Sequence, residues 1–262
     1  MKIIDLTKLL DPADLEKLPE WARPAVNLIP QIHYQNPKGE GADVMCSIFG
    51  CTREDLPDGE GWGDEQLKIT SHLGTHVDAP LHYGTMCEGK PSRTISDIDL
   101  SELYCDGFVL DLREHCSPGE SITVDALKQA VEALDADITP GCALLLRTGQ
   151  EKYNLGDLEL FNYPGMRRDG TLYLANLGAK VLGTDALGWD RPFLAMRREF
   201  EATGDASVIW DGHFACRDKE VFIVQQVDNL AALPPKGFKV GCFPLRLARC
   251  SASPARVMAF LD

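Results

Sequence analysis

Long apolar runs are missing from this chain of 262 residues: no window approaches the ~20 apolar residues that a membrane-spanning helix needs. Positive charge is scarce as well. Lys and Arg number 26 against 40 Asp and Glu, a formal net charge of −14. A long-range field of that sign repels nucleic acid and anionic membrane surfaces, although it says little about a buried small-molecule pocket. The opening Met1-Lys2-Ile3-Ile4-Asp5 meets an acidic residue at once and holds no apolar signal-peptide core. The nine cysteines are an odd number and include no CxxC pair, which favours reduced thiols in a cytoplasmic protein over a disulfide framework. Cys142 and Cys242 sit in apolar runs and read as small core hydrophobes. There is no low-complexity linker and no internal repeat. Gly and Pro are spread throughout, and 44% hydrophobic content suffices for a sizeable core, so one domain over 1–262 is expected.

Histidine is also rare, and its distribution is uneven. Of the six, three fall in His72-Leu73-Gly74-Thr75-His76-Val77-Asp78-Ala79-Pro80-Leu81-His82, with a carboxylate between them. Imidazole and carboxylate suit Zn²⁺, Mn²⁺ and Fe²⁺. His72, His76 and Asp78 are the candidate ligands. His82 is left over as an acid/base. On a helix, Asp78 would project roughly 120° away from His72. On an extended strand, positions 72, 76, 78 and 82 share a face, but four residues span roughly 13 Å, too far for two ligands of one ion. The chain must therefore bend, and Gly74 supplies the hinge. The expectation is a strand Gln66–His72 running into a Gly-hinged turn, with Pro80 opposing a helix through His82. A closed structural zinc site is the competing reading. Such sites usually fill four positions and favour Cys; Cys87 is near, but none lies within the run, which favours an open, catalytic site.

Strand signals dominate elsewhere: Ile3–Leu6, Leu67–Ser71, Gly107–Leu112, Ala143–Leu146, Lys180–Leu182, Val221–Val224, Phe238–Cys242 and Arg256–Leu261. One helix is clear, capped by Thr123, with an apolar stripe of Leu127, Ala130, Val131 and Leu134. A second is expected from Asn176 or from Thr171, and a third over Phe193–Thr203. These helices are too few for a doubly wound fold or a barrel, so the fold class is α/β with a mixed central sheet. Residues 36–65 and 151–172 read as long loops whose aromatics, Phe49, Trp62, Phe161 and Tyr163, are candidates to wall a pocket for a planar ligand. Trp189 and Phe193 are further lining candidates. Asp185, Asp190 and Arg191 read as a fold-stabilising charge cluster at least as much as a site, and His33 and His115 as structural or surface residues.

The run resembles the signature of the metal-dependent cyclase family, H-x-G-T-H-x-D-x-P-x-H, and every fixed position matches: His72, Gly74, Thr75, His76, Asp78, Pro80 and His82. The family includes kynurenine formamidase, isatin hydrolase and a metal-dependent dienelactone hydrolase. The segments DLPDGEGW (55–62), GTDALGWDRPF (183–193), NLAALPPKGF (229–238) and Phe243-Pro244 are similar to its longer, isatin hydrolase branch. The resemblance implies the swivelling β/β/α fold, a homo-oligomer, and an active-site place for His213. In dinuclear relatives a glutamate just before the next Asn-Leu binds a second metal with that histidine and a shared aspartate. Gln225 stands there in this chain. A neutral amide is a weaker ligand than a carboxylate, which implies one divalent ion per chain, Mn²⁺ or Zn²⁺, with Gln225 bonding water or substrate.

The expected function is hydrolysis of a cyclic amide or lactone by water activated on the metal, with His82 shuttling the proton. The alternative substrate is an N-formyl aromatic amine. A non-catalytic binding protein on the same fold is the alternative of another class, and the presence of His82 weighs against it. A polyketide-type cyclase is a third, without any docking patch to recommend it.

Overall fold

The computed structural model describes residues 1–24 and 28–261. The strands are β1 (Lys2–Asp5), β2 (Gln31–Gln35), β3 (Asp64–Lys68), β4 (His76–Asp78), β5 (Met86–Cys87), β6 (Lys90–Pro91), β7 (Tyr104–Asp111), β8 (Ala143–Arg147), β9 (Val181–Thr184), β10 (Phe222–Gln225), β11 (Phe238–Pro244) and β12 (Ala252–Leu261). The α-helices are α1 (Glu40–Phe49), α2 (Pro80–Tyr83), α3 (Val124–Glu132), α4 (Arg168–Asn176), α5 (Phe193–Thr203) and α6 (Asp211–Phe214).

Eight strands form one mixed sheet in the order β1-β12-β11-β7-β8-β9-β10-β4. β7, β8, β9 and β10 run parallel, and the remaining neighbours are antiparallel. β4 also pairs with β12, so the sheet closes on itself. The mixed central sheet is as expected, while its closure is not visible in the sequence. Only three residues, His76–Asp78, make the closing strand, and a piece that short carries no alternation to read.

The central strands are buried on both faces, as parallel strands flanked by helices must be. In β8, Ala143 and Leu145 join Val77, Val181, Val224 and Val257 in one apolar cluster, while Leu144 and Leu146 join Leu127, Leu174 and Trp189 under α3 and α4 in the other. Thr123 caps α3 as expected, its Oγ1 accepting from the Ala126 N–H at 3.2 Å. α5 has the expected bounds.

Three local expectations change. The strand anticipated over Gln66–His72 is β3, which ends at Lys68, is exposed throughout and pairs with β2 in an outlying hairpin. Asn176 ends α4 rather than beginning it. Residues 36–65 are not all loop, because α1 occupies Glu40–Phe49, closed by Gly50 in the left-handed conformation.

At the end of the sheet where β9 and β10 begin, an ion network ties segments distant in sequence. The Arg93 guanidinium donates to Glu102 at 2.7 and 2.9 Å and to Glu220 at 2.6 and 3.2 Å, and Lys180 Nζ reaches Glu220 at 2.7 Å. Arg93 and Lys180 also lie over the Phe222 ring. Burial pushes the Glu220 carboxyl up, but hydrogen bonds from Arg93 and Lys180 and their charges outweigh it and hold the group below its ordinary 4.5. A depressed folded-state value stabilises the fold above the unfolded value and is lost as pH falls through the folded one. Glu220→Gln should therefore cost about 1–2 kcal/mol in urea unfolding at neutral pH, with the gap to wild type closing in acid. A gap that persists unchanged below the carboxylate range would remove this account.

Candidate functional site

The signature run folds around Gly74. Its φ of +58° is open to glycine, and a Cβ there would sit 2.5 Å from Leu10 Cδ2. Thr75 fixes the next residue: its hydroxyl donates to the Gln226 carbonyl at 2.6 Å and accepts from the Lys8 N–H at 2.9 Å. The chain then enters β4, where His76 and Asp78 project from the same face of the strand, two residues apart. Gln225, the last residue of β10, is the cross-strand partner of His76. Pro80 opens α2 at its first turn, where the missing N–H costs nothing, and this short helix carries His82 back toward His72. The expectation that Pro80 opposes a helix through His82 is thus corrected.

His72, His76, Asp78, His82 and His213 come together. His72 Nε2 lies 2.9 Å from His82 Nδ1 and 3.5 Å from Asp78 Oδ1. His76 Nδ1 is 2.7 Å from the Gly74 carbonyl, which only accepts, so Nδ1 carries the proton and Nε2 presents a lone pair. That Nε2 faces Asp78 Oδ1 at 3.4 Å, and both atoms are buried without a hydrogen-bond partner. Two acceptors face each other there, at a cost of about 1–3 kcal/mol for each unpartnered group. A cation held between them would satisfy both. The atoms of His72, Asp78 and His82 that could bind an ion lie within 4.8 Å of one another, so His82 belongs to the same cluster.

The other carboxylate oxygen is already engaged. Asp78 Oδ2 accepts from Gln225 Nε2 at 2.8 Å, an orientation of the amide that an acceptor oxygen requires. Gln225 Nε2 also lies 3.4 Å from His213 Nε2, which is 3.6 Å from Asp78 Oδ2. The far nitrogen of His213 bonds the Asp190 carboxylate, which in turn accepts from the Gly212 N–H at 2.7 Å. Asp190 is thus an orienting partner for His213 more than a general fold stabiliser.

Charges follow from this packing. Burial raises the Asp78 carboxyl, but the imidazoles packed around it, His76, His82 and the hydrogen-bonding His213 among them, hold it well below the usual carboxylate range. Burial lowers His82 to about 4, against the pull of Asp78, so its imidazole is neutral near pH 7. His213 is driven the other way. Burial lowers it, but the charge and hydrogen bond of Asp190, followed by Asp78, carry it up to about 9.

A cavity of about 630 Å³ opens over this cluster. Its apolar wall includes Trp21, Phe161, Trp189, Phe193 and Trp210. Trp189, Phe193, Phe161 and Tyr163 line it. Trp62 and Phe49 do not. Both are exposed, on the surface beside the outlying hairpin and at the end of α1, and neither lines the cavity. The sequence reading took residues 36–65 as a loop near the metal, and the helix within it carries Phe49 away. Trp210 was missed as a site residue. Its ring stacks on His213 at 4.4 Å and meets the His82 ring edge-on at 4.9 Å. The available signal was its place three residues before His213. Asp185 is buried in a nest of N–H groups from Thr148, Gly149 and Gln150, at 2.8–3.1 Å, and is structural. His33 bonds Glu40 on the surface, and His115 is exposed.

Comparison with known proteins agrees with this geometry. The Cyclase family model, described as "Putative cyclase", matches residues 4–191. An isatin hydrolase of Roseibium aggregatum is 27% identical over 222 residues, covering 78% of this chain and 77% of that protein. A kynurenine formamidase of Delftia acidovorans is 25% identical over 194 residues, covering 73% and 77%. The crystal structure of an isatin hydrolase bound to the product analogue thioisatinate superposes with a TM-score of 0.73 at 21% identity, over 100% of this chain and 92% of that one. With the signature residues gathered at one site and the family model spanning most of the chain, the protein belongs to the Cyclase family.

Proposed function

We propose that the protein is a metal-dependent hydrolase that opens a cyclic amide or lactone, with one divalent cation per chain held by His72, His76 and Asp78. The observation that carries this reading is the buried pair of opposed acceptors, His76 Nε2 and Asp78 Oδ1, without a hydrogen-bond partner. Two imidazoles and a carboxylate fit Zn²⁺ or Mn²⁺ and leave positions open. Once bound there, such an ion polarises the scissile carbonyl and makes a water acidic enough to attack at neutral pH. His82 is neutral and faces the same cluster, so it accepts the proton of the attacking water and returns one to the leaving nitrogen or oxygen. The C–N or C–O bond breaks, and the products are a carboxylate and an amine or alcohol. Asp190 fixes His213, which with Gln225 lines the floor of the cavity and orients the carbonyl side of the substrate.

The isatin hydrolase relative favours a ring amide; the kynurenine formamidase relative supports an N-formyl aromatic amine as the second reading. A hydrolysis screen of the metal-loaded protein on isatin, lactones and N-formylkynurenine separates the two. Full metal content without turnover of any of them would favour a binding protein instead. Exposed Tyr34, Ile48, Phe49 and Leu67 on α1 and the β2–β3 hairpin support a homo-oligomer, and a single-chain mass by light scattering would count against it.

His76→Ala and Asp78→Asn should each lose the metal on dialysis. His82→Ala should keep it and lose roughly 10²–10⁴-fold in turnover. Elemental analysis checks all three. Retained metal in either of the first two, or lost metal in the third, would reassign the ligands.

Gln225 supports the stoichiometry. Its amide occupies Asp78 Oδ2, the oxygen through which a second cation would be bridged, and contributes no negative charge. Wild type should hold about one ion per chain after dialysis, and Gln225→Glu should raise this toward two. Two tightly held ions in wild type would restore a dinuclear site.

A further inference from the structure

The cavity wall carries two arginines that the hydrolytic chemistry leaves unused, Arg191 and Arg198. Arg191 is 8% exposed. Its Nη1 pairs with Glu199 Oε2 at 2.5 Å, while Nε and Nη2 are buried and have no hydrogen-bond partner. Those two nitrogens form one edge of the guanidinium, the edge that offers two parallel N–H bonds to a carboxylate. Leaving both donors buried and unpaired is unfavourable unless a ligand serves them. Arg198, on the first turns of α5, is exposed and has neither an ion pair nor a hydrogen bond among the described residues.

The nearby carboxylates are committed elsewhere. Glu199 is shared between Arg191 and Arg167, at 2.5 Å from each. Asp190 serves His213 and the Gly212 N–H. Asp211, 3.8 Å from Arg167, offsets that arginine only in part. A chain of net charge −14 therefore keeps a cationic patch on the wall of an otherwise apolar cavity.

We propose that Arg191 and Arg198 form an anion subsite, which selects amides or lactones that carry a carboxylate away from the scissile bond on an apolar or aromatic body. The inference rests on the cavity being the substrate site of the proposed hydrolase. Arg198 meets the carboxylate first, at the open part of the wall. Arg191 lines the same cavity, and its unpaired Nε–Nη2 edge is the second contact for the carboxylate.

Trp21, Trp189 and Trp210 line the cavity, so binding is readable by tryptophan fluorescence without turnover. The test titrates the metal-loaded protein with 3-phenylpropionate and with its neutral amide. Wild type should prefer the acid by about tenfold. Arg198→Gln, at an exposed and unpaired position, should reduce that preference severalfold and make it less salt-dependent. Arg191→Lys keeps a charge opposite Glu199 but loses the two-pronged edge, and should reduce the preference by about tenfold. Circular dichroism verifies the fold of each variant. Equal affinity of wild type for acid and amide overturns the proposal. So does a preference that survives in both folded variants, because the carboxylate then sits at the histidine cluster. Failure of the hydrolysis screen would leave this binding test intact, and failure here would leave the hydrolase reading standing.

Discussion

The buried carboxylate of Asp78 is the constraint around which the site is built. It is wholly enclosed, on the strand that closes the sheet between β10 and β12. An ionised carboxylate in that position is costly unless both oxygens are served. The protein serves one with the Gln225 amide and leaves the other facing the bare lone pair of His76. The Gly74 carbonyl fixes the tautomer that bares this lone pair, and Thr75 fixes the backbone that aims it. The hinge, the strand register and the cross-strand glutamine thus converge on one point, the Asp78 carboxylate.

The surrounding histidines divide into roles by environment. His82 is held neutral by burial, while Asp190 drives His213 toward the charged form in a still more enclosed setting. One fold therefore shifts two imidazoles in opposite directions on two sides of the same carboxylate. Trp210 packs against both rings and holds them apart at nearly right angles. β10 delivers Gln225 to the site at its C-terminal end, and the Arg93 network braces the opposite end of the sheet.

The legibility of this arrangement in the sequence was uneven for physical reasons. His72, His76, Asp78 and His82 stood out because ligand chemistry is rare and their spacing was dense. The parallel core was legible because Ala143–Leu146 and Val221–Val224 are continuous apolar runs. α5 was legible over Phe193–Thr203, and the structure closes it with Pro192 and Gly204. β4 was not, because a three-residue strand takes its structure from partners on both sides rather than from its own pattern. α1 was hidden by the glycines and acids around it, and with it went the placement of Phe49 and Trp62. Trp210 and Arg191 depend on tertiary contacts with segments far along the chain, and nothing in their local sequence announces what they face.

Anomalous diffraction at the metal edge from crystals of the protein grown with Mn²⁺ tests the central claim most directly. The account predicts a single peak per chain, within coordination distance of His72 Nε2, His76 Nε2 and Asp78 Oδ1, with His82 outside the ligand shell. A peak bound by His82 in place of His76, or one between His213 and Asp78 Oδ2, would contradict it.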